Sequence, residues 1–169
     1  MDIDQPLRLL GGLTPAQFMK RHWQRKPLLV RQAFADFKAP LSRSALLSLA
    51  GQEDVESRLV LCEEPGRTPW RLRSGPFERR ALPAFSKPGW TLLVQGVDLH
   101  VQSVADLLNH FRFVPAARLD DLMISYATDQ GGVGPHFDSY DVFLLQAQGR
   151  RRWRIGRQKA LHLRDDTPL

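Results

Sequence analysis

The chain has 169 residues, enough for one ordinary domain. Its 43% hydrophobic and 25% charged residues match a soluble globular protein and exclude collagenous, disulfide-rich and wholly disordered classes. The balance of 24 Lys and Arg against 18 Asp and Glu leaves a net charge of +6, which suits a neighbourhood rich in nucleic acid but names no chemistry. No apolar run approaches the ~18 residues of a membrane span, and the acidic start, Met1-Asp2-Ile3-Asp4, does not read as a signal peptide. The single cysteine, Cys62, cannot form an intrachain disulfide, so a reducing cytoplasm is the expected compartment.

Thr14-Pro15 offers a capping hydroxyl followed by proline at the first helical position. The helix it opens carries Phe18 and His22, and Met19 and Trp23, at four-residue spacing, and Pro27 is expected to end it. Leu28-Leu29-Val30 then reads as a short buried strand. Ser42 or Ser44 can cap a second helix through Leu46, Leu47, Leu49 and Ala50, stopped by Gly51. Residues 57–62 and 70–73 read as strands joined by Glu64-Pro65-Gly66, residues 74–89 as a Pro- and Gly-rich loop, and residues 90–97 as an apolar strand. Residues 101–113 fit an amphipathic helix. Past Pro115 the pattern changes to short extended segments at 121–128, 135–138, 141–146 and 150–155, punctuated by glycines, which suggests a sheet sandwich or small barrel.

The chemistry concentrates in Gly131-Gly132-Val133-Gly134-Pro135-His136-Phe137-Asp138. Residues two apart on a strand share a face, so His136 and Asp138 would present an imidazole and a carboxylate side by side. These are two corners of a two-His, one-carboxylate triad, the ligand set of non-haem Fe(II). A surface His and Asp that only hydrogen-bond each other is the plainer alternative. The glycine loop lacks the Gly-Lys-Ser/Thr of a phosphate-binding P-loop and leads into a strand, so a nucleotide site is rejected. In Arg150-Arg151-Arg152-Trp153-Arg154-Ile155, alternation puts Arg151 on the same face as Trp153 and Ile155, which belong inside. An inward arginine needs an anionic partner. A dicarboxylate cosubstrate and an internal salt bridge to Asp138 or Asp141 satisfy that need equally well.

Five motifs, in this order and spacing, closely resemble the bacterial ribosomal oxygenases of the JmjC-type cupin family. They are residues 22–28 (HWQRKPL), 74–78 (SGPFE), 118–125 (RLDDLMIS), 131–143 (GGVGPHFDSYDVF) and 148–156 (QGRRRWRIG). The resemblance implies an α+β chain: an incomplete double-stranded β-helix (jelly roll, cupin, JmjC-like) behind an N-terminal mixed α/β region. Residues 1–115 would contribute to and cover the barrel, and residues 116–169 would supply its first strands. It further implies a dioxygenase that uses Fe(II), 2-oxoglutarate and O2 to hydroxylate an arginine of a large-subunit ribosomal protein resembling uL16. The family is homodimeric and cytoplasmic, and neither membrane attachment nor sequence-specific nucleic-acid binding is expected.

By motif, His136 and Asp138 resemble the first two iron ligands, and no catalytic group beyond the metal ligands is implied. Arg151 resembles the residue that grips the distal carboxylate of 2-oxoglutarate, and Ser125, on a strand face with Met123, the hydroxyl that helps hold it. Tyr126, Tyr140 and Asp141 are placed to line a substrate channel. The family's third ligand, a histidine some fifty to sixty residues after the first, would fall beyond Leu169; His162, His22, His100 and His110 do not fit the role. The expectation is therefore a front portion of a longer enzyme with little activity alone. A non-catalytic basic module that binds ribosomal protein or RNA is the alternative.

Overall fold

The computed structural model describes residues 3–62 and 70–156. Helix α1 (Pro15–Arg21) begins with a reciprocal cap: the Thr14 hydroxyl accepts from the Gln17 amide at 3.1 Å, and the Gln17 side chain accepts from the Thr14 amide at 3.2 Å. The helix stops well short of Pro27. The chain instead turns at residues 22–25, with Gln24 at φ +53°, and Trp23 folds back edge-on against Phe18, ring centroids 6.2 Å apart. The strand expected at residues 28–30 does not form. No neighbouring strand supplies a ladder there among the described residues, and Leu29 is 75% exposed.

Helix α2 (Arg43–Leu49) is capped by the Ser42 hydroxyl, which accepts from the Ala45 amide at 3.2 Å. Strands β1 (Ser57–Cys62), β2 (Trp70–Ser74), β3 (Trp90–Val94) and β4 (Ile124–Ala127) form one antiparallel sheet in the order β2-β1-β3-β4. The register pairs Leu59 with Leu92 and Leu92 with Tyr126, so these three share a face. That face packs on Leu46 and Leu49 of α2 and on Val104 of helix α3 (Gln102–Leu108) to make the main core. All five residues of β3 are buried, as befits an inner strand covered on both faces. A second core of Leu10, Phe18, Phe111, Phe113 and Val114 lies around α1.

Two predicted strands are shortened by local chemistry. Gly96 takes φ +59°, which ends β3 before residue 97. The Asp121 carboxylate accepts from the Gly96 amide at 2.5 Å, and the Leu122 amide donates to Asp98 at 2.8 Å. These bonds hold residues 121–122 in a turn-stapling role, so β4 starts only at Ile124. The helix expected over 101–113 divides into α3 and a 3-10 turn, Asn109–Phe111.

The larger difference is at residues 131–156. The segments expected as strands at 135–138, 141–146 and 150–155 form no strand, and Trp153 and Ile155 are 46% and 64% exposed rather than inward. A strand exists only through a hydrogen-bonding neighbour, and among the described residues none runs beside them. The predicted turn at 64–66, together with Arg157, Gln158, Lys159 and His162, lies outside the described residues. Among those described, no helix is long and apolar enough to cross a membrane.

Candidate metal and cosubstrate site

The glycine loop after β4 is shaped by the sheet. A Cβ on Gly131 would lie within contact-forbidden range of the Trp90 carbonyl oxygen, and one on Gly134 would meet the Trp70 indole at 3.2 Å. Gly134 also has φ +76°, a conformation that L side chains rarely adopt. The glycines thus let backbone lie flat on Trp70 and the end of β3, which launches residues 135–138 from a fixed point.

On that launch point His136 Nδ1 lies 3.0 Å from the Gly134 carbonyl oxygen. A carbonyl only accepts, so a proton on Nδ1 makes this bond, and a neutral ring then has its lone pair on Nε2. Metal-bound histidines are held in this way, one nitrogen donating to a carbonyl and the other left for the ion. Nε2 is also the atom that faces Asp138, 3.8 Å from its Oδ2, with the two side chains 38% and 41% exposed. That distance is too long for a hydrogen bond. It is short enough for a small rotation to bring both atoms onto one cation, so the donor set fits two positions of an Fe(II) site. No group of three or more His, Cys, Asp or Glu side chains suited to a metal occurs among the described residues.

Arg151 is half-buried, its guanidinium 5.8 Å from the Trp153 ring. The internal salt bridge weighed from the sequence is not made: Asp138 faces His136, and Asp141 accepts from the Gln24 amide at 3.1 Å. Among the described residues Arg151 has no carboxylate partner. Ser125 is exposed on the sheet face shared with Met123. Tyr126 is on the opposite face, 5.7 Å from Phe85 and 5.6 Å from Trp90 between ring centroids, within the main core. Tyr140 is 65% exposed. The structure therefore joins His136 to Asp138, whereas no hydrogen bond or ion pair among the described residues links either of them to Ser125, Tyr126, Tyr140, Asp141 or Arg151.

Sequence reasoning missed what fastens this segment to the front of the molecule. Asp141 ties down the turn after α1, and Phe143 enters the second aromatic cluster, 4.8 Å from Phe111 and 6.0 Å from Phe18 between centroids. Nothing in local spacing signals a contact across 117 residues. Replacing Phe143 by Ala is expected to cost about 1–2 kcal/mol, less than a fully buried ring because it is 37% exposed. Limited proteolysis should then cut within 131–156 sooner than in the parent, while the sheet stays resistant.

Residues 106–168 match the JmjC domain family. Over 139 residues the chain is 44% identical to the ribosomal protein uL16 3-hydroxylase of Escherichia coli, covering 82% of this chain and 36% of that protein. It is 34% identical over 145 residues to the Haemophilus influenzae protein named "Probable ribosomal oxygenase", covering 86% of this chain and 35% of that one. The fold superposes on E. coli YcfD, a ribosomal oxygenase solved in complex with cobalt and 2-oxoglutarate, with a TM-score of 0.68 and 39% identity over 75% of this chain and 34% of that chain. The chain thus spans about a third of the length of the relatives it matches. The four-stranded sheet with its helices is part of the JmjC cupin fold. On sequence and fold together, the chain resembles the JmjC-type ribosomal oxygenases over the third of their length that it spans.

Proposed function

We propose that this chain carries the first half of the reaction centre of an Fe(II)- and 2-oxoglutarate-dependent hydroxylase whose substrate is an arginine of a uL16-like ribosomal protein in the cytoplasm. The observation that carries the reading is His136, whose Nδ1 lies 3.0 Å from the Gly134 carbonyl oxygen and whose Nε2 faces Asp138. In it, residues 1–115 form the lobe that lends β1, β2 and β3 to the sheet, and residues 116–169 supply the first barrel strands. Iron held at His136 and Asp138 would bind 2-oxoglutarate and O2, which together yield succinate, CO2 and one oxygen atom for the substrate carbon.

The protein's own groups have separable tasks. His136 and Asp138 supply one neutral and one anionic donor, which leaves the ion a net positive charge to attract an anionic cosubstrate. Arg151, free of any internal carboxylate among the described residues, offers a planar fork that matches the distal carboxylate of 2-oxoglutarate. Ser125 offers a hydroxyl on the exposed sheet face, and Tyr140 and Asp141 stand near enough in sequence to His136 to meet the incoming peptide. Tyr126 would act from within the wall, through its packing on Trp90.

The described residues provide two ligands where the reaction needs three, so this chain alone is expected to decarboxylate little 2-oxoglutarate. The test is a chimera in which the remainder of the E. coli relative follows this chain. Mass spectrometry of a uL16 peptide incubated with the chimera, Fe(II), 2-oxoglutarate and O2 should show the gain of one oxygen on arginine. Arg151→Gln should raise the 2-oxoglutarate KM by about 30- to 150-fold, the loss of one bidentate charge-assisted pair. A soluble, metal-loaded chimera that leaves the peptide unchanged would overturn the substrate reading.

A further inference from the structure

Two arginines converge on a single ring. Arg43 opens α2 and Arg79 opens the 3-10 turn Arg79–Ala81, and the guanidinium carbon of each lies 4.2 Å from the Phe85 centroid. The two charges are therefore separated by at most twice that distance. Both side chains are exposed, and neither makes an ion pair or hydrogen bond among the described residues. Neighbouring Arg80, by contrast, is paired with Glu78 at 2.6 Å. Asp129, which lines the adjoining cleft with Phe85, Ser86 and Tyr126, makes no ion pair with either arginine.

The platform beneath them is rigid. Phe85 stacks at 6.0 Å on fully buried Trp90, whose indole N–H donates to the Ala84 carbonyl at 3.1 Å. An arginine laid on an aromatic face keeps its N–H fork free along the edge while its plane is oriented by the ring. Two such forks held close together repel each other until an anion sits between them. Their outward planes are also surfaces on which unpaired bases stack. A free phosphate or an acidic peptide uses only the first property; a single RNA strand uses both.

We propose that Arg43 and Arg79, held on Phe85, form a docking point for the backbone of an RNA strand. Contact there is through phosphate and stacking, without base-specific readout, and suits a protein of net charge +6. The test is fluorescence anisotropy of a labelled oligouridylate titrated with the protein over a series of salt concentrations. Binding of ~10⁻⁴–10⁻⁶ M is expected near physiological salt. The double variant Arg43→Gln/Arg79→Gln should weaken it by about 10-fold and flatten the plot of log K against log salt by about one to two units of slope.

Lys20→Gln/Arg21→Gln removes the same charge from exposed positions on α1 and should change both quantities far less. Arg43→Lys/Arg79→Lys keeps the charge and the slope but loses the stacked planes, and should fall between. If Arg43→Gln disturbs α2, as a shifted melting curve would reveal, Arg79→Gln alone carries the test. Equal losses in the two glutamine pairs would reduce the effect to diffuse charge and overturn the proposal. So would displacement of the RNA by inorganic phosphate or by an acidic peptide at matched charge.

Discussion

Replacing His136 by Ala is expected to abolish measurable divalent-metal binding in a Co(II) titration followed by absorbance. Loss of an outer-shell partner alone typically costs ~10–100-fold in metal affinity, and His136 is a ligand candidate with its own outer-shell partner, the Gly134 carbonyl at 3.0 Å. Two ligands hold an ion weakly, so the parent isotherm should be shallow and the variant's flat. Asp138→Asn keeps an oxygen donor without its charge and should retain a reduced response. Gly134→Ala tests the orientation separately: at φ +76° and against Trp70 the methyl strains the loop, so the imidazole should be misaligned and metal binding should weaken though both ligands remain. Unchanged Co(II) affinity in His136→Ala would remove the metal site from this segment.

The largest effect on stability is expected from Trp90→Ala. Trp90 is fully buried, stacks within 6.0 Å of Phe85 and 5.6 Å of Tyr126, and donates its indole N–H to Ala84. Its backbone carbonyl accepts from the Thr128 amide at 3.1 Å and lies against Gly131. Truncating such a ring costs about 3–5 kcal/mol, against a total of about 5–15 kcal/mol for a typical domain. Urea denaturation should show the midpoint falling by at least about a fifth, with the slope little changed if the native fold persists. Because Trp90 joins the core to the glycine loop, the same variant should also lose protease protection at 131–134. A midpoint within error of the parent would mean that the main core does not depend on this ring.

Local chemistry was legible where a few adjacent residues decide the outcome. Thr14, Pro15 and Gln17 define the start of α1 because cap and partner are three residues apart. Ser42 does the same for α2. The strands expected at 57–62 and 70–73 form at Ser57–Cys62 and Trp70–Ser74. The ends were not: Asp121 reaching back to Gly96 and Trp23 folding onto Phe18 are contacts whose partners local pattern does not reveal. Leu28-Leu29-Val30 looked like a strand because three apolar residues cost nothing to align on paper, but a strand needs a neighbour, and none is there among the described residues.

The site divides in the same way. Two-residue periodicity put His136 and Asp138 on one face of an expected strand; the structure brings their side chains to 3.8 Å although residues 135–138 form no strand. The periodicity that put Trp153 and Ile155 inside does not decide burial, because burial requires something to cover the face. The glycines of the 131–134 loop are used against Trp70 and Trp90, contacts that no local pattern signals. Asp141 read as a channel residue also braces the turn after α1.

By itself, then, the sequence carried the resemblance to the ribosomal oxygenases, through motif order, and set an imidazole two residues from a carboxylate. The tertiary structure alone decided that Arg151 has no internal carboxylate among the described residues and that Arg43 and Arg79 meet on Phe85. The physical reason is range. Capping and side-chain alternation act over two to four residues and are written in the local chain, whereas charge pairing and ring stacking depend on groups that only the folded chain brings together.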